Sequence, residues 1–224
     1  MRIIVLSMSL EEKLAHVRGD QESVLRKFEK KVKELRHALK ASTRKHPRQH
    51  QEEYNSPGNI DWLVTVRITK KNEKVFMTAW WHLKDIGLEA ISLAPTSAFY
   101  FDSHFFQRYR EHESGIRDAV PNMKAFLLAN YDITIKRLGT ERFGMEEVAG
   151  VARQGLFRGT VRPGGIIACD TFLPDPGLNK GQQALKAQMD FHAATKDWSD
   201  AQHAQHRAWV NELLSQLRDE GEDV

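Results

Sequence analysis

The segment Ser103-His104-Phe105-Phe106-Gln107-Arg108-Tyr109-Arg110-Glu111-His112 concentrates the residue types best suited to chemistry. Written as a helix, it places His104, Arg108 and Glu111 at i, i+4 and i+7, on one face. Phe105, Tyr109 and His112 share the next face round. An imidazole can move a proton near neutral pH. A guanidinium one turn away can hold a phosphate through paired hydrogen bonds. With Asp102 or Ser103 as N-cap, His104 falls in the first turn, where unpaired N–H groups and the helix dipole favour an anion. A His and an Arg so placed suit metal-free cleavage of a phosphodiester: His104 moves the proton and Arg108 offsets charge on the non-bridging oxygens. The same His-x-x-x-Arg spacing also occurs on surface helices laced by salt bridges, so spacing leaves both readings open.

The elements that must position this helix are legible on either side of it. Before it, from Ile60, the period is two: Trp62, Val64, Val66 and Ile68 alternate with Leu63, Thr65, Arg67 and Thr69. A polar turn at Lys70-Lys71-Asn72-Glu73 leads into Val75 to Trp81, a hairpin pattern. Leu88 to Leu93 and Ala98 to Phe101 predict two more strands. Consecutive strands without an intervening helix imply an antiparallel meander. Trp80-Trp81 must point to opposite faces, so at least one ring is expected beneath a helix. After it, Pro121 to Ala129 predicts a helix that buries Met123, Phe126 and Leu127. Tyr131 to Ile135 is a strand or a loop. Val148 to Arg162 and Gly165 to Leu173 predict a second hairpin around Arg162-Pro163-Gly164-Gly165.

Helices flank this core. Ser9 with Glu12 forms a capping box ahead of an apolar stripe from Leu10 to Leu39, which Gly19-Asp20 is expected to interrupt. Thr43 to Gln51 is a polar, basic tract that composition assigns to a linker. Lys180 to Leu217 predicts helix with a break near Thr195 to Asp197, where Ser199 and Gln202 make another capping box. Expected packing residues there are Leu185, Met189, Trp198, Trp209, Leu213, Leu214 and Leu217. The fold class is therefore α+β: an antiparallel β-sheet with a packed central helix, flanked by N- and C-terminal amphipathic helices. The expected organisation is a helical region and basic linker over 1–55, a core over 56–179 and a helical region over 180–224. The acidic end, Asp219 to Asp223, is expected to fray.

Composition bounds the rest. The chain of 224 residues is 41% hydrophobic and 28% charged, ordinary for a globular protein and too apolar for a disordered one. A net charge of +3 permits a polyanionic partner without requiring one. The single cysteine, Cys169, lies in an apolar run and is expected to be packed and inert; a lone thiol also favours a reducing compartment, so a cytoplasmic location is expected. No apolar run approaches the ~20 residues that span a bilayer, so no membrane is expected as partner. Ten histidines occur, without His-Glu-x-x-His or paired cysteines. His203 and His206 beside Asp200 are the competing metal ligands, weighed against a solvated helix surface. No nucleotide-binding loop or serine nucleophile elbow is present, and neither metal nor cofactor is expected.

The block His104-Phe105-Phe106-Gln107-Arg108-Tyr109-Arg110-Glu111, with Thr171-Phe172-Leu173 downstream, resembles a group of uncharacterised bacterial and prophage proteins. Those carry a His-aromatic-x-x-Arg-Tyr-x-Glu-Arg helix and a later Thr-Phe-(Leu/Ile) strand end. The layout is also similar to the barnase/EndoU/colicin/RelE-like ribonuclease toxins, in which a helix-borne His and Arg face a polar residue on a late strand. The resemblance covers roughly residues 60 to 185. It implies a toxin-like endoribonuclease acting on RNA, with His104, Arg108, Tyr109 and Thr171 as catalytic residues and Arg158, Arg162 and His112 as substrate contacts. This chain departs from the group by carrying Glu111-His112 where the group has Glu-Arg. The competing expectation is a non-catalytic mobile-element protein whose terminal helices dock a partner or form a homo-oligomer.

Overall fold

The computed structural model describes residues 4–41, 48–69, 72–94, 97–130, 133–195 and 198–219, with side chains of the last helix as far as Asn211. Residues 1–179 form one compact unit and residues 180–224 a second.

In the first unit, helix α1 spans Leu10–Lys40. Its start is the expected capping box: Ser9 Oγ accepts the Glu12 N–H while Glu12 accepts the Ser9 N–H. It does not break at Gly19-Asp20. Gly19 faces open space, and the Asp20 carboxylate accepts the Trp62 indole N–H at 2.9 Å, tying mid-helix to the sheet. Strands β1 (Arg48–Asn55), β2 (Asp61–Ile68), β3 (Glu73–Leu83), β4 (Gly87–Leu93) and β5 (Ala98–Phe101) form the antiparallel meander.

Strand β1 corrects the sequence reading, which gave this tract to a linker. Its residues, Arg48-Gln49-His50-Gln51-Glu52-Glu53-Tyr54-Asn55, lack any apolar alternation. A sheet edge needs none: β1 pairs with β2 over its whole length, and Tyr54 anchors it edge-on against Phe28 of α1.

After β5 come helix α2 (Ser103–Tyr109), a π-turn over Arg110–Ser114 and helix α3 (Ala119–Ala129). They carry the chain to the far edge, from which β6 (Thr134–Arg142), β7 (Met145–Ala152), β8 (Gly155–Arg162) and β9 (Ile166–Pro174) meander back. The stretch expected as one strand from Val148 to Arg162 is two, β7 and β8, turning at Arg153-Gln154, and β6 adds a third before them. Tyr131 and Asp132 lie outside the described residues. The sheet order is β1-β2-β3-β4-β5-β9-β8-β7-β6. Because the helical crossover intervenes, β9 meets β5 in parallel, the one parallel pair among the described strands.

Each face of the sheet has its own core. On the first face, Leu14, Val17, Val24 and Phe28 of α1 pack on Trp62, Val64, Val66, Ala98 and Ile166. Trp81 lies on this side, under α1, where Glu89 accepts hydrogen bonds from its indole, from Lys13 at 2.7 Å and from the Tyr100 hydroxyl. A buried carboxylate is tolerated here because its donors satisfy it. On the second face, α2 and α3 pack Phe105, Phe106, Tyr109, Met123, Phe126 and Leu127 on Phe99, Phe101, Phe157 and Phe172. Ring centroids are 4.9–6.3 Å apart, mostly edge-on, as aromatic quadrupoles prefer. Gly150 is required opposite Phe157, whose ring would lie 1.8 Å from any Cβ placed there.

The second unit contains α4 (Lys180–Thr195) and α5 (Asp200–Asp219). Ser199 and Gln202 cap α5 reciprocally, as expected. The side chains of Leu213, Leu214 and Leu217 lie outside the described residues, as does the acidic end beyond Asp219. No helix among the described residues is long and apolar enough to cross a membrane.

Candidate functional site

Parallel pairing of β5 with β9 ends at Phe101 opposite Cys169. The next residue on each strand is an aspartate, Asp102 and Asp170, so the two carboxylates leave the sheet side by side. A β-bulge shapes β9 at this point. Arg158 pairs with Thr171 and Gly159 with Cys169, which leaves Asp170 as the extra residue. Cys169 and Phe172 both belong to the aromatic core of the second face. The two residues between them, Asp170 and Thr171, are thereby turned together to the first face. Gly159 permits the bulge, because a Cβ there would sit 2.3 Å from the Ala168 carbonyl oxygen.

The carboxylates open into a cleft of about 400 Å³ lined by Leu10 and Glu11 from the start of α1, Tyr100, Asp102, Arg162 and Asp170. Burial pushes the Asp102 pKa above its ordinary 3.8, against N–H donation from Phe105 and the positive charge of His104. Burial also raises Asp170, opposed by Arg142 and Arg162 and reinforced by the charges of Asp102 and Glu147. The Asp102 charge thus adds to the burial that makes Asp170 resist ionisation. Arg162 reaches across the cleft: hydrogen bonds from the backbone and from Ser9 hold Glu11 below its ordinary value, with Arg162 adding to the effect. Tyr100 donates its hydroxyl proton to Glu89 at 2.7 Å, so towards the cleft its oxygen can only accept. Burial, with the neighbouring Asp170 and Asp102 charges, lifts the Cys169 thiol well above its ordinary value, which leaves it a packing residue.

The residues singled out in the sequence divide between two places. Arg162 lines the cleft, and Thr171 lies on the same side, cross-strand from Arg158, whose guanidinium is held by Glu147 at 2.7 Å. His104 and Arg108 ride on α2, over the second face. His104 is exposed in the first turn, and Arg108 is half-exposed and engaged by Glu111 at 3.3 Å. Glu111 also accepts from Gln107, and this bond, ahead of Arg108 and His112, keeps its pKa low. The anion-favouring N–H groups at the start of α2 already have a carboxylate, since Asp102 accepts the Phe105 N–H at 2.8 Å. Tyr109 is 3% exposed, its ring 5.1 Å from Phe126 and 5.3 Å from Phe172, and burial raises its phenol. His112 is exposed within the π-turn, where the Phe106 carbonyl accepts both the Arg110 N–H and the Asn122 side-chain amide.

His203 and His206 of α5 are packed against rings: His203 against Trp198, and His206 against Phe191 at 4.6 Å. Among the described residues no group of three or more His, Cys, Asp or Glu side chains is arranged to hold a metal ion.

Sequence reasoning missed Asp102 as anything but a cap, and missed Asp170 altogether. The available signal was positional: each aspartate directly follows a short, wholly apolar strand segment, Ala98 to Phe101 and Ile166 to Cys169. No protein-family model, curated protein or solved structure matches this chain.

Proposed function

We propose that the protein is a ribonuclease-like enzyme that cleaves RNA phosphodiester bonds at the Asp102–Asp170–Arg162 cleft. One observation carries this reading: two carboxylates that burial makes harder to ionise lie beside a guanidinium in an open cleft. Transesterification of RNA needs those three functions. The ionised member of the pair takes the proton of the ribose 2′-hydroxyl, whose oxygen then bonds to phosphorus. The bond from phosphorus to the 5′-oxygen breaks, and the protonated member gives its proton to that leaving oxygen. Arg162 offsets the charge that builds on the non-bridging oxygens. The products are a 2′,3′-cyclic phosphate and a 5′-hydroxyl, and no redox change or external nucleophile is involved. Arg142 and Arg158 extend positive charge along the same side of the sheet, although each is partnered, by Asp170 and Glu147.

The substrate chemistry supplies the test. In EDTA, the wild type is expected to cut a single-stranded RNA to fragments ending in a cyclic phosphate and to leave the all-deoxy strand intact. Cutting of both strands, or of neither, would overturn the reading.

A further inference from the structure

Phe143 is the most exposed large apolar residue among those described, with 81% of its surface accessible. It sits at the tip of the β6–β7 hairpin, where Arg142 and Met145 pair across a two-residue turn. Both turn residues have positive φ, 55° at Phe143 and 71° at Gly144. Asn or Gly is the ordinary occupant of the first position; a bulky aromatic there is strained. The other described non-glycine residues at positive φ are Asn59 and Asp85, which tolerate it. The chain therefore holds an aromatic ring in water, in a backbone conformation that opposes it. Sites of that kind cluster where function needs the side chain.

The surroundings of the ring identify what it would hold. Arg142 lies over the ring, 5.2 Å from its centroid, and the same guanidinium stands 3.6 Å from the Asp170 carboxylate. One side chain thus links the ring to the cleft. Thr140, Glu141, Arg142 and Gly144 around it are exposed and not apolar. Met145 and Leu138 nearby are only partly exposed, so a protein partner would find little apolar surface beyond the ring, whereas a nucleobase needs only one π-face. We infer that Phe143 is a stacking platform for an unpaired base of the RNA strand bound at the Asp102–Asp170 cleft, with Arg142 holding the ring from its other side. This inference rests on the proposed function and names its substrate as single-stranded RNA.

Replacing Phe143 separates this role from a structural one, because Phe143→Asn relieves the strained turn while removing the ring. With a short fluorescein-labelled single-stranded RNA as probe, Phe143→Asn is expected to bind about tenfold more weakly than the wild type, the loss of one stacked base. The same variant should melt at a higher temperature. Phe143→Trp should bind at least as tightly as the wild type. If the wild type cleaves RNA and Phe143→Asn binds it unchanged, the inference fails and the proposed function stands. If the wild type neither binds nor cleaves RNA, the proposed function fails and the inference with it.

Discussion

At the scale of single residues, the chemistry of this chain is divided between a helix that advertises it and a cleft that assembles it. His104 and Arg108 carry the conspicuous side chains, yet Arg108 is engaged by Glu111 and lies over the opposite sheet face from Thr171. Asp102 and Asp170 are inconspicuous in sequence but converge in space, with Arg162 beside them. His104 still touches the pair electrostatically, because its positive charge lowers the proton affinity of Asp102. Removing that charge in His104→Ala should raise the Asp102 pKa. The base limb of the pH–rate profile is then expected to move to higher pH, with the maximal rate within a few-fold of wild type. Arg108→Ala removes only an exposed ion pair that solvent screens, and should leave both melting temperature and rate nearly unchanged.

At the scale of elements, the site depends on one irregularity. Without the bulge, β9 would alternate regularly after Cys169, and Thr171 would point into the aromatic core where Phe172 now lies. Gly159→Ala forces a Cβ towards the Ala168 carbonyl. It is expected to lower stability by about 1–3 kcal/mol in denaturant titration and to reduce cleavage by displacing Asp170. This irregularity also explains what could be read from the sequence. The meander of β2 to β5 was legible because Trp62, Val64, Val66 and Ile68, which all face α1, recur at period two. Helices α1 and α5 announced themselves through reciprocal caps, at Ser9 with Glu12 and at Ser199 with Gln202. Strand β1 left no trace, since an edge strand with polar faces has no alternation. The juxtaposition of Asp102 and Asp170 was illegible for a different reason. It arises from parallel pairing between strands more than sixty residues apart in sequence, and from a bulge that only the β8 partner defines.

At the scale of the whole molecule, the two aspartates couple the site to stability. Both have folded pKa values raised above the unfolded ones, chiefly by burial. Their protonated forms therefore favour the fold: this contribution is complete below the ordinary aspartate value and is lost as pH rises through the raised folded values. The contribution of these two groups to the melting temperature is expected to decline as pH increases from about 4, opposite in sign to that of Glu11 and Glu111, whose pKa values are lowered. Asp170→Asn, which cannot ionise, should flatten that decline and melt above the wild type at neutral pH. A site that costs stability in its working ionisation state is the ordinary consequence of burying carboxylates.

The most direct test follows cleavage of a single-stranded RNA in EDTA by the wild type, Asp170→Asn and His104→Ala. The cleft account predicts that Asp170→Asn, although folded, loses at least about a hundredfold in rate, the smallest loss usual for a missing acid or base. It predicts that His104→Ala keeps its maximal rate to within a few-fold. Loss of cleavage in His104→Ala, with Asp170→Asn fully active, would contradict it and return the chemistry to the helix.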